Sequence, residues 1–183
     1  TGLRVGVWVV ACTRAGGRCE AVLSRYVAQT VWFHSLLQRR SACGCEVARQ
    51  VRAHDEVMSA LRSCVNAVFL AIVQSYAIAR DMSRIRHYKE MGVVYMTLCH
   101  NGDNDICDSA KGAGEHDGLS AFGREVVREM NRVGMMVDLA HASEKSFYDV
   151  LACSTVPVVS THSSCRALCD HPRNLTDDQI RAL

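Results

Sequence analysis

The segment VVYMTLCH at residues 93–100 decides the fold, because it has the pattern of a buried strand that ends in a histidine. Two later segments repeat this pattern: MMVDLAH at residues 135–141 and PVVSTH at residues 157–162. Each is followed by a loop and then by a helical pattern, which predicts parallel strands joined by helices. The carboxyl ends of parallel strands lie on one face of a sheet or barrel, so we expect the three terminal histidines to meet there.

These histidines, His100, His141 and His162, are the first residues to consider for chemistry. Imidazole nitrogen is a frequent zinc ligand and can also interact with a polarised carbonyl group. The sequence therefore predicts a metal-binding or carbonyl-binding site at the carboxyl ends of the strands.

Two more strands are predicted earlier in the chain. Residues 5–11 and 67–73 are nearly continuous apolar runs, which is typical of strands buried in a parallel sheet. No glycine-rich phosphate loop follows the first of them, which argues against a dinucleotide-binding fold. A (β/α)8 barrel needs about 250 residues, and this chain supplies roughly five of its eight units. We predict an α/β fold, a partial TIM-like (β/α)8 barrel of about five parallel strands, forming one truncated domain over residues 1–183.

Helical spacing fills the segments between the strands. The helices are predicted at residues 19–38, 46–63, 82–90, 121–133, 144–152 and from 177 onward. Ser120 and Ser143 are expected to cap two of them, and Gly134 is expected to end one. Thr176 and Gln179 form a capping-box pattern for the last helix.

Composition argues against several classes of protein. Apolar residues make up 49% of the chain and the net charge is +2, so neither disorder nor nucleic-acid binding is indicated. The longest apolar runs, residues 5–12 and 67–73, are shorter than the roughly 20 residues of a membrane-spanning helix, so no transmembrane segment is expected. The chain starts at Thr1 without a signal-peptide pattern, and we expect either a processed start or a piece of a longer chain.

The chain contains ten cysteines. Only two pairs are close in sequence, Cys43 with Cys45 and Cys165 with Cys169, and neither has the spacing of a structural zinc site. Reduced thiols are the preferred interpretation, with Cys43 and Cys45 as reactive alternatives. Free thiols favour the cytoplasm, although the sequence leaves the compartment unknown.

Several segments resemble the membrane dipeptidase family of zinc peptidases. They are MGVVYMTLCHNGD at 91–103, GLSAFGREVVREMN at 118–131, MVDLAH at 136–141, THSS at 161–164 and CDHPRN at 169–174. The resemblance covers about residues 67–183, and the earlier part of the chain matches poorly. It implies a TIM-like barrel with two zinc ions at its C-terminal face. It also implies hydrolysis of dipeptides, including those with a carboxyl-side D-residue, by a metal-bound hydroxide.

The resemblance also implies individual roles. His141 and His162 would be ligands of the second zinc ion, and His100 would contact the substrate and its developing oxyanion. Arg173 would bind the free carboxylate of the substrate through its guanidinium fork. The alternatives are that His100 is an ordinary hydrogen-bonded residue and that Arg173 forms a surface ion pair with nearby aspartates. Asp138 is expected to orient the neighbouring His141 as a hydrogen-bond acceptor.

The departures from the family concern the first zinc ion. The His-x-Asp pair of the family would lie upstream of Thr1, and its late Asp would lie beyond Leu183. The bridging Glu of the family falls on Val73, at the start of the segment VQSYA. Two zinc ions about 3.5–4 Å apart need a shared carboxylate, and valine has no lone pair to offer.

Two predicted functions follow for the chain. Two imidazoles are fewer than the three protein ligands of a catalytic zinc, and Asp103, Asp105 or Asp108 in the polar loop 101–118 could supply the third. The chain is then either a zinc dipeptidase acting on a dipeptide or a catalytically incompetent piece of a barrel that keeps at most one weak zinc site. In the second case, open sheet edges would favour pairing with another chain, as in a homo-oligomer.

Overall fold

The computed structural model describes residues 5–11, 46, 48–63 and 65–183, the first segment by its backbone alone. The helix predicted over residues 19–38 and the pair Cys43 and Cys45 lie outside the described residues. In the part of the chain that the structure describes, no helix has the length and apolar character needed to cross a membrane.

Five parallel strands form one sheet in the described residues. They are β1 (Val5–Ala11), β2 (Ala48–Gln50), β3 (Asn66–Val73), β4 (Val93–Thr97) and β5 (Met136–Asp138). β1 pairs along one side of β3, while β2 and β4 pair with the first and second halves of its other side. β5 continues the sheet beside β4. This α/β arrangement brings the carboxyl ends of β3, β4 and β5 to one face.

Helices follow the strands, and the predicted capping residues are confirmed. The described α-helices are α1 (His54–Arg62), α2 (Ser83–Glu90), α3 (Ala121–Val133), α4 (Glu144–Cys153) and α5 (Asp177–Ala182). The hydroxyls of Ser120 and Ser143 accept backbone N–H groups at the starts of α3 and α4, and Gly134 ends α3 with φ 72°. Thr176 and Gln179 form the predicted capping box of α5. These caps satisfy N–H groups that lack partners within the helix.

The main hydrophobic core lies between the sheet and the helices α2, α3 and α4. All five residues of β4 are buried. The large side chains that are almost fully buried include Leu70, Ile85, Met96, Met130 and Phe147, which come from both layers. Burial of each such side chain stabilises the fold by about 1.5–3 kcal/mol, so the strand ends that carry the histidines are firmly positioned.

Two predicted elements differ from the structure. Residues 46–63 were expected to form one helix, but they begin with β2, and α1 starts only at His54. The first half of β3 has backbone groups that need hydrogen-bond partners on this side, and β2 supplies them. The pairing continues to Val51, whose N–H donates to the Val68 carbonyl at 2.9 Å. Residues 157–160, predicted as a strand, form only the bridge between Val159 and Asp138. A proline opens that segment and has no N–H for a longer ladder.

Candidate metal and substrate site

The three histidines that follow the strands come together, as predicted. His100 lies three residues after β4, His141 three residues after β5, and His162 three residues after the bridging Val159. The rings of His100 and His141 have centroids 4.2 Å apart, and those of His141 and His162 lie 5.0 Å apart. The imidazoles therefore form a row with His141 in the middle.

Two imidazole nitrogens converge on one point within this row. His141 Nε2 and His162 Nε2 are 3.0 Å apart. Two histidine nitrogens bound to one tetrahedral zinc ion would be about 3.3 Å apart, given Zn–N distances of about 2.0–2.1 Å. The observed separation is close to that value, so the pair is placed to share a cation.

Asp138, at the end of β5, organises the residues around this pair. Its carboxylate is fully buried and accepts four hydrogen bonds. The donors are the hydroxyls of Thr97 at 2.6 Å and Thr161 at 2.8 Å, and the N–H groups of Ala140 at 3.1 Å and Thr161 at 2.9 Å. Each partner is a donor, so the arrangement suits an ionised carboxylate.

This network determines which nitrogen of His162 carries a proton. The Thr161 hydroxyl donates its single hydrogen to Asp138, and its oxygen lies 2.8 Å from His162 Nδ1. His162 Nδ1 must therefore be the donor, which leaves a lone pair on Nε2 of the neutral ring. Asp138 was predicted to orient His141, but its contacts connect it to His162 through Thr161. The sequence reasoning missed Thr161, although its position directly before His162 was the available signal.

His141 is buried, with 6% of its surface exposed, and its Nδ1 has no hydrogen-bond partner among the described residues. Its backbone has φ 75°, and its carbonyl accepts the Ala110 N–H at 2.8 Å. Burial lowers the pKa of His141 to about 3, and the positive charge of Arg173 adds to this decrease. The ring is therefore neutral near pH 7, as a metal ligand must be.

The other two histidines have similar electrostatics. Burial also lowers the pKa of His100 and of His162, and the charge of Arg173 acts in the same direction on both. The carboxylate of Asp138 partly opposes the decrease for His162. The row of imidazoles thus presents neutral nitrogens to a ligand.

Arg173 supplies the positive charge of this site. Its Nη2 lies 3.4 Å from the His162 carbonyl, and its Nη1 is buried without a hydrogen-bond partner in the described part of the chain. No ion pair with the nearby aspartates is present among the described residues, so the alternative of a surface ion pair is not what the structure shows. A half-buried guanidinium with a free donor suits a carboxylate ligand.

The end of β3 is different. Val73 pairs with Thr97, and Thr97 pairs with Asp138, so the three residues lie at the same level of the sheet. Val73 is 7% exposed and offers only hydrocarbon at this level. The next residue, Gln74, has φ 92°, a backbone conformation that is uncommon for any residue but glycine.

The loop aspartates do not supply the third metal ligand. Asp103 accepts four backbone N–H groups between residues 109 and 115, and Asp108 accepts those of residues 116 and 118. Asp105 is exposed and lies 3.6 Å from Arg80. Within the described ranges, no set of three or more His, Cys, Asp or Glu side chains is arranged to hold a metal ion. The structure therefore does not favour this loop as the source of a third ligand.

Two neutral imidazoles therefore fit one zinc ion as partial ligands, and the described residues do not complete its coordination. The fit rests on the convergent Nε2 atoms of His141 and His162. It also rests on the hydrogen bond that His162 Nδ1 donates to the Thr161 hydroxyl, because this bond leaves the lone pair on Nε2. The five cysteines that the structure describes are free thiols and are not part of this group.

Comparison with known proteins finds related sequences. A family model described as membrane dipeptidase, peptidase family M19, matches residues 5–183. Dipeptidase verJ from Clonostachys rogersoniana is 38% identical over 151 residues, which are 82% of this chain and 38% of that protein. Dipeptidase tcpJ from Claviceps purpurea is 41% identical over 149 residues, which are 81% of this chain and 35% of that protein. The chain thus spans less than two fifths of the length of these curated relatives.

Solved structures share the fold. An amidohydrolase from Pseudomonas aeruginosa has a TM-score of 0.77 at 25% identity, covering 96% of this chain and 50% of that one. A metallo peptidase from Rhodobacter sphaeroides, bound to a phosphinate mimic of the dipeptide L-Ala-D-Ala, has a TM-score of 0.83 at 21% identity. This second match covers 97% of this chain and 57% of the other. The predicted partial TIM-like barrel is confirmed.

Proposed function

The chain belongs to the membrane dipeptidase family, peptidase family M19, and we propose that it contributes to the zinc-dependent hydrolysis of dipeptides. In this proposal His141 and His162 hold one zinc ion, Arg173 binds the free carboxylate of the dipeptide, and His100 contacts the scissile carbonyl. A bound zinc ion would supply Lewis acidity and acidify a coordinated water.

The single observation that supports the proposal most is the approach of His141 Nε2 to within 3.0 Å of His162 Nε2. Without a cation, the lone pair on His162 must accept a hydrogen from His141. A cation between the two Nε2 atoms would use the lone pairs of both nitrogens. His141 Nδ1 has no hydrogen-bond partner among the described residues, so the geometry of the two Nε2 atoms carries this argument.

The remaining residues of the site bind and orient the substrate. Arg173 presents a donor that is unpaired among the described residues beside the row of imidazoles, so a carboxylate placed there gains charge-assisted hydrogen bonds. The centroid of the His100 ring lies 4.2 Å from that of His141, with the two rings tilted by 31°. A dipeptide held by Arg173 can therefore lie along the row with its carbonyl at His100. A protonated ring nitrogen of His100 that faces the carbonyl oxygen would stabilise the negative charge that develops on this oxygen.

One observation favours a second candidate, a non-catalytic protein with a single weak zinc site. By its resemblance to the family, the sequence puts Val73 at the position of the bridging carboxylate, and the structure buries Val73 beside Thr97. No described group replaces that carboxylate. In this case the pairing of open sheet edges with a second chain, predicted from the sequence, would be a structural role, and it stays a prediction.

Metal content and turnover measured on one sample separate the two candidates. The purified protein is loaded with zinc, dialysed and analysed for zinc per chain, and hydrolysis of L-Ala-D-Ala is then assayed. Turnover with at least one ion per chain supports the dipeptidase, whereas one ion or none without turnover supports the second candidate.

Arg173→Ala provides an internal check on the substrate assignment. We expect it to weaken dipeptide binding at least tenfold, on the order of the loss of a charge-assisted hydrogen bond, and to leave the zinc content unchanged. Arg166→Ala is a matched control, because Arg166 is bound to Glu144 and to the carbonyls of Pro172 and Asn174. Equal effects of the two variants would contradict the assignment of Arg173.

A further inference from the structure

A cavity of about 460 Å³ opens beside His100, on the outer side of the row of imidazoles. One wall is the end of β3 with Gln74 and Tyr76, and the opposite wall is the loop from Lys111 to Glu115. The volume is sufficient for one amino-acid side chain. The roles proposed above for the three histidines and Arg173 leave this cavity without a function.

The loop wall of the cavity is held in place by a single carboxylate. Asp103 accepts the N–H groups of Ala113 at 2.7 Å and of Gly114 at 2.8 Å, among others. Gly112 packs so closely on this carboxylate that a Cβ atom would overlap it. These contacts fix the loop wall of the cavity. The backbone donors also compensate the negative charge of Asp103.

Gln74 is the unusual residue of the opposite wall. It is 7% exposed, and its backbone is held at φ 92°, ψ 119°. Its carboxamide makes no hydrogen bond with any residue that the structure describes, and it lines the cavity. A buried polar side chain in a strained backbone conformation, without a hydrogen-bond partner among the described residues and next to a cavity, suits a ligand contact.

The charges at the rim indicate which ligand group suits the cavity. Lys111 and Glu115 are both exposed and carry opposite charges, so their fields largely cancel. Gln74 offers two donors and one acceptor without a net charge. The cavity therefore matches an uncharged hydrogen-bonding side chain better than a charged or an aliphatic one.

We propose that this cavity binds the side chain of the amino-terminal residue of the dipeptide, and that Gln74 selects carboxamide or hydroxyl side chains over hydrocarbon. The inference rests on the proposed function, since the carboxylate of the dipeptide must lie at Arg173. Arg173 Nη2 lies 3.4 Å from the His162 carbonyl, and His100 lines the cavity, so a dipeptide that extends from Arg173 past His100 would bring its amino-terminal side chain to the cavity.

The test compares L-Gln-D-Ala with L-Leu-D-Ala on zinc-loaded protein. Preference is measured as the ratio of kcat/KM where the sample hydrolyses dipeptides, and as the ratio of dissociation constants by titration calorimetry where it does not. We expect the wild type to prefer L-Gln-D-Ala about tenfold, and Gln74→Leu to reduce that ratio to one or below.

Two further variants separate recognition from structure. Gln74→Gly removes the carboxamide and also the backbone strain, so it should lose the preference while its thermal unfolding midpoint stays equal or rises. Gln50→Leu is the matched control, because the Gln50 amide donates to the carbonyls of Met91 and Gly92 away from the cavity. It should lower the midpoint and keep the preference.

The outcomes distinguish this inference from the proposed function. A Gln74→Leu variant that keeps the wild-type preference would overturn the role of Gln74 alone. A wild-type protein that neither binds nor hydrolyses either dipeptide would overturn the proposed function, and this inference with it.

Discussion

The ends of β4 and β5 and the end of β3 lie side by side on one face of the sheet, but their chemistry differs. Beyond β4 and β5, Asp138 accepts four hydrogen bonds, and through Thr161 it fixes the tautomer of His162. At the end of β3, Val73 offers hydrocarbon at the same level. One part of the face carries imidazoles beside a hydrogen-bonded carboxylate, and the neighbouring part carries hydrocarbon at the same level.

The contrast shows that the hydrogen bonds that orient His162 do not depend on the end of β3. The orientation of His162 depends on residues of β4, β5 and the segment that bridges to β5, and none of these contacts involves Val73. The contacts around His162 are therefore independent of the side chain at residue 73. The predictions below test the two parts of the face separately.

The largest expected effect is the loss of zinc binding in His141→Ala and in His162→Ala. Each variant removes one of the two imidazoles that converge on the cation, so we expect the zinc affinity to fall at least about 100-fold. Competition with a chromophoric chelator measures this affinity. His87→Ala, at an exposed position on α2, is the control that should bind zinc as the wild type does. Unchanged zinc content in both site variants would remove the assignment.

The next effect concerns stability. Asp138→Ala leaves the buried Thr97 and Ala140 and the more exposed Thr161 without the acceptor of their four hydrogen bonds, and we expect the free energy of unfolding to fall by about 3 kcal/mol. Urea unfolding of the metal-free protein measures the change. Asp178→Ala, on the exposed face of α5, should change it by less than about 0.5 kcal/mol. Equal losses in the two variants would show that the carboxylate network contributes little.

A smaller effect is expected from Thr161→Val, which removes the hydroxyl between Asp138 and His162. Loss of such a supporting hydrogen bond weakens metal binding about 10–100-fold. Thr161→Ser keeps the hydroxyl and should restore most of the affinity. Nitrogen-15 NMR of the imidazole should report protonation of His162 Nδ1 in the wild type, and a proton on Nε2 instead would contradict the network.

The sequence predicted the parts of this face that depend on strand patterns. Apolar runs that end in histidine placed His100, His141 and His162 at one face, since parallel strands share a direction. The resemblance to the dipeptidases added Arg173, which the structure places beside His162. The functional roles of these residues stay predictions.

The sequence could not predict the contacts that depend on register and loop paths. Asp138 reaches His162 because Thr161 folds across the end of β5, and no spacing rule gives that contact. The loop aspartates resembled metal ligands in composition, but Asp103 and Asp108 are used by the backbone N–H groups of their own loop. The unusual backbone of Gln74 also has no signature in a single sequence.

The pH dependence of stability provides a test of the loop beside His100. Burial alone would raise the pKa of Asp103, but the backbone donors of residues 109–115 outweigh it and hold the pKa below its usual value. The unfolded state therefore binds a proton at higher pH than the folded state. The stability that Asp103 contributes is present above about pH 4 and is lost as the pH falls through the lower folded pKa.

Asp103→Asn removes this titration while keeping a side chain of similar size. Its free energy of unfolding should therefore depend less steeply on pH between about pH 5 and 3 than that of the wild type. Denaturant unfolding at a series of pH values measures the two slopes. Parallel curves would show that the backbone donors do not hold the Asp103 carboxylate in solution.

The smallest change in activity is expected from Val73→Glu, at the end of β3 where it pairs with the end of β4. Val73→Glu restores the carboxylate of the family at the end of β3, but we expect no hydrolysis of L-Ala-D-Ala from it. A bridging carboxylate needs a second ion to bridge, and in the described ranges no further ligands for that ion accompany residue 73. The new charge also lies at the level of Asp138, so the free energy of unfolding should fall, whereas the uncharged Val73→Gln should be milder. Turnover by Val73→Glu would show that the end of β3 lacks only this one carboxylate, and the contrast between the two parts of the face would then reduce to a single side chain.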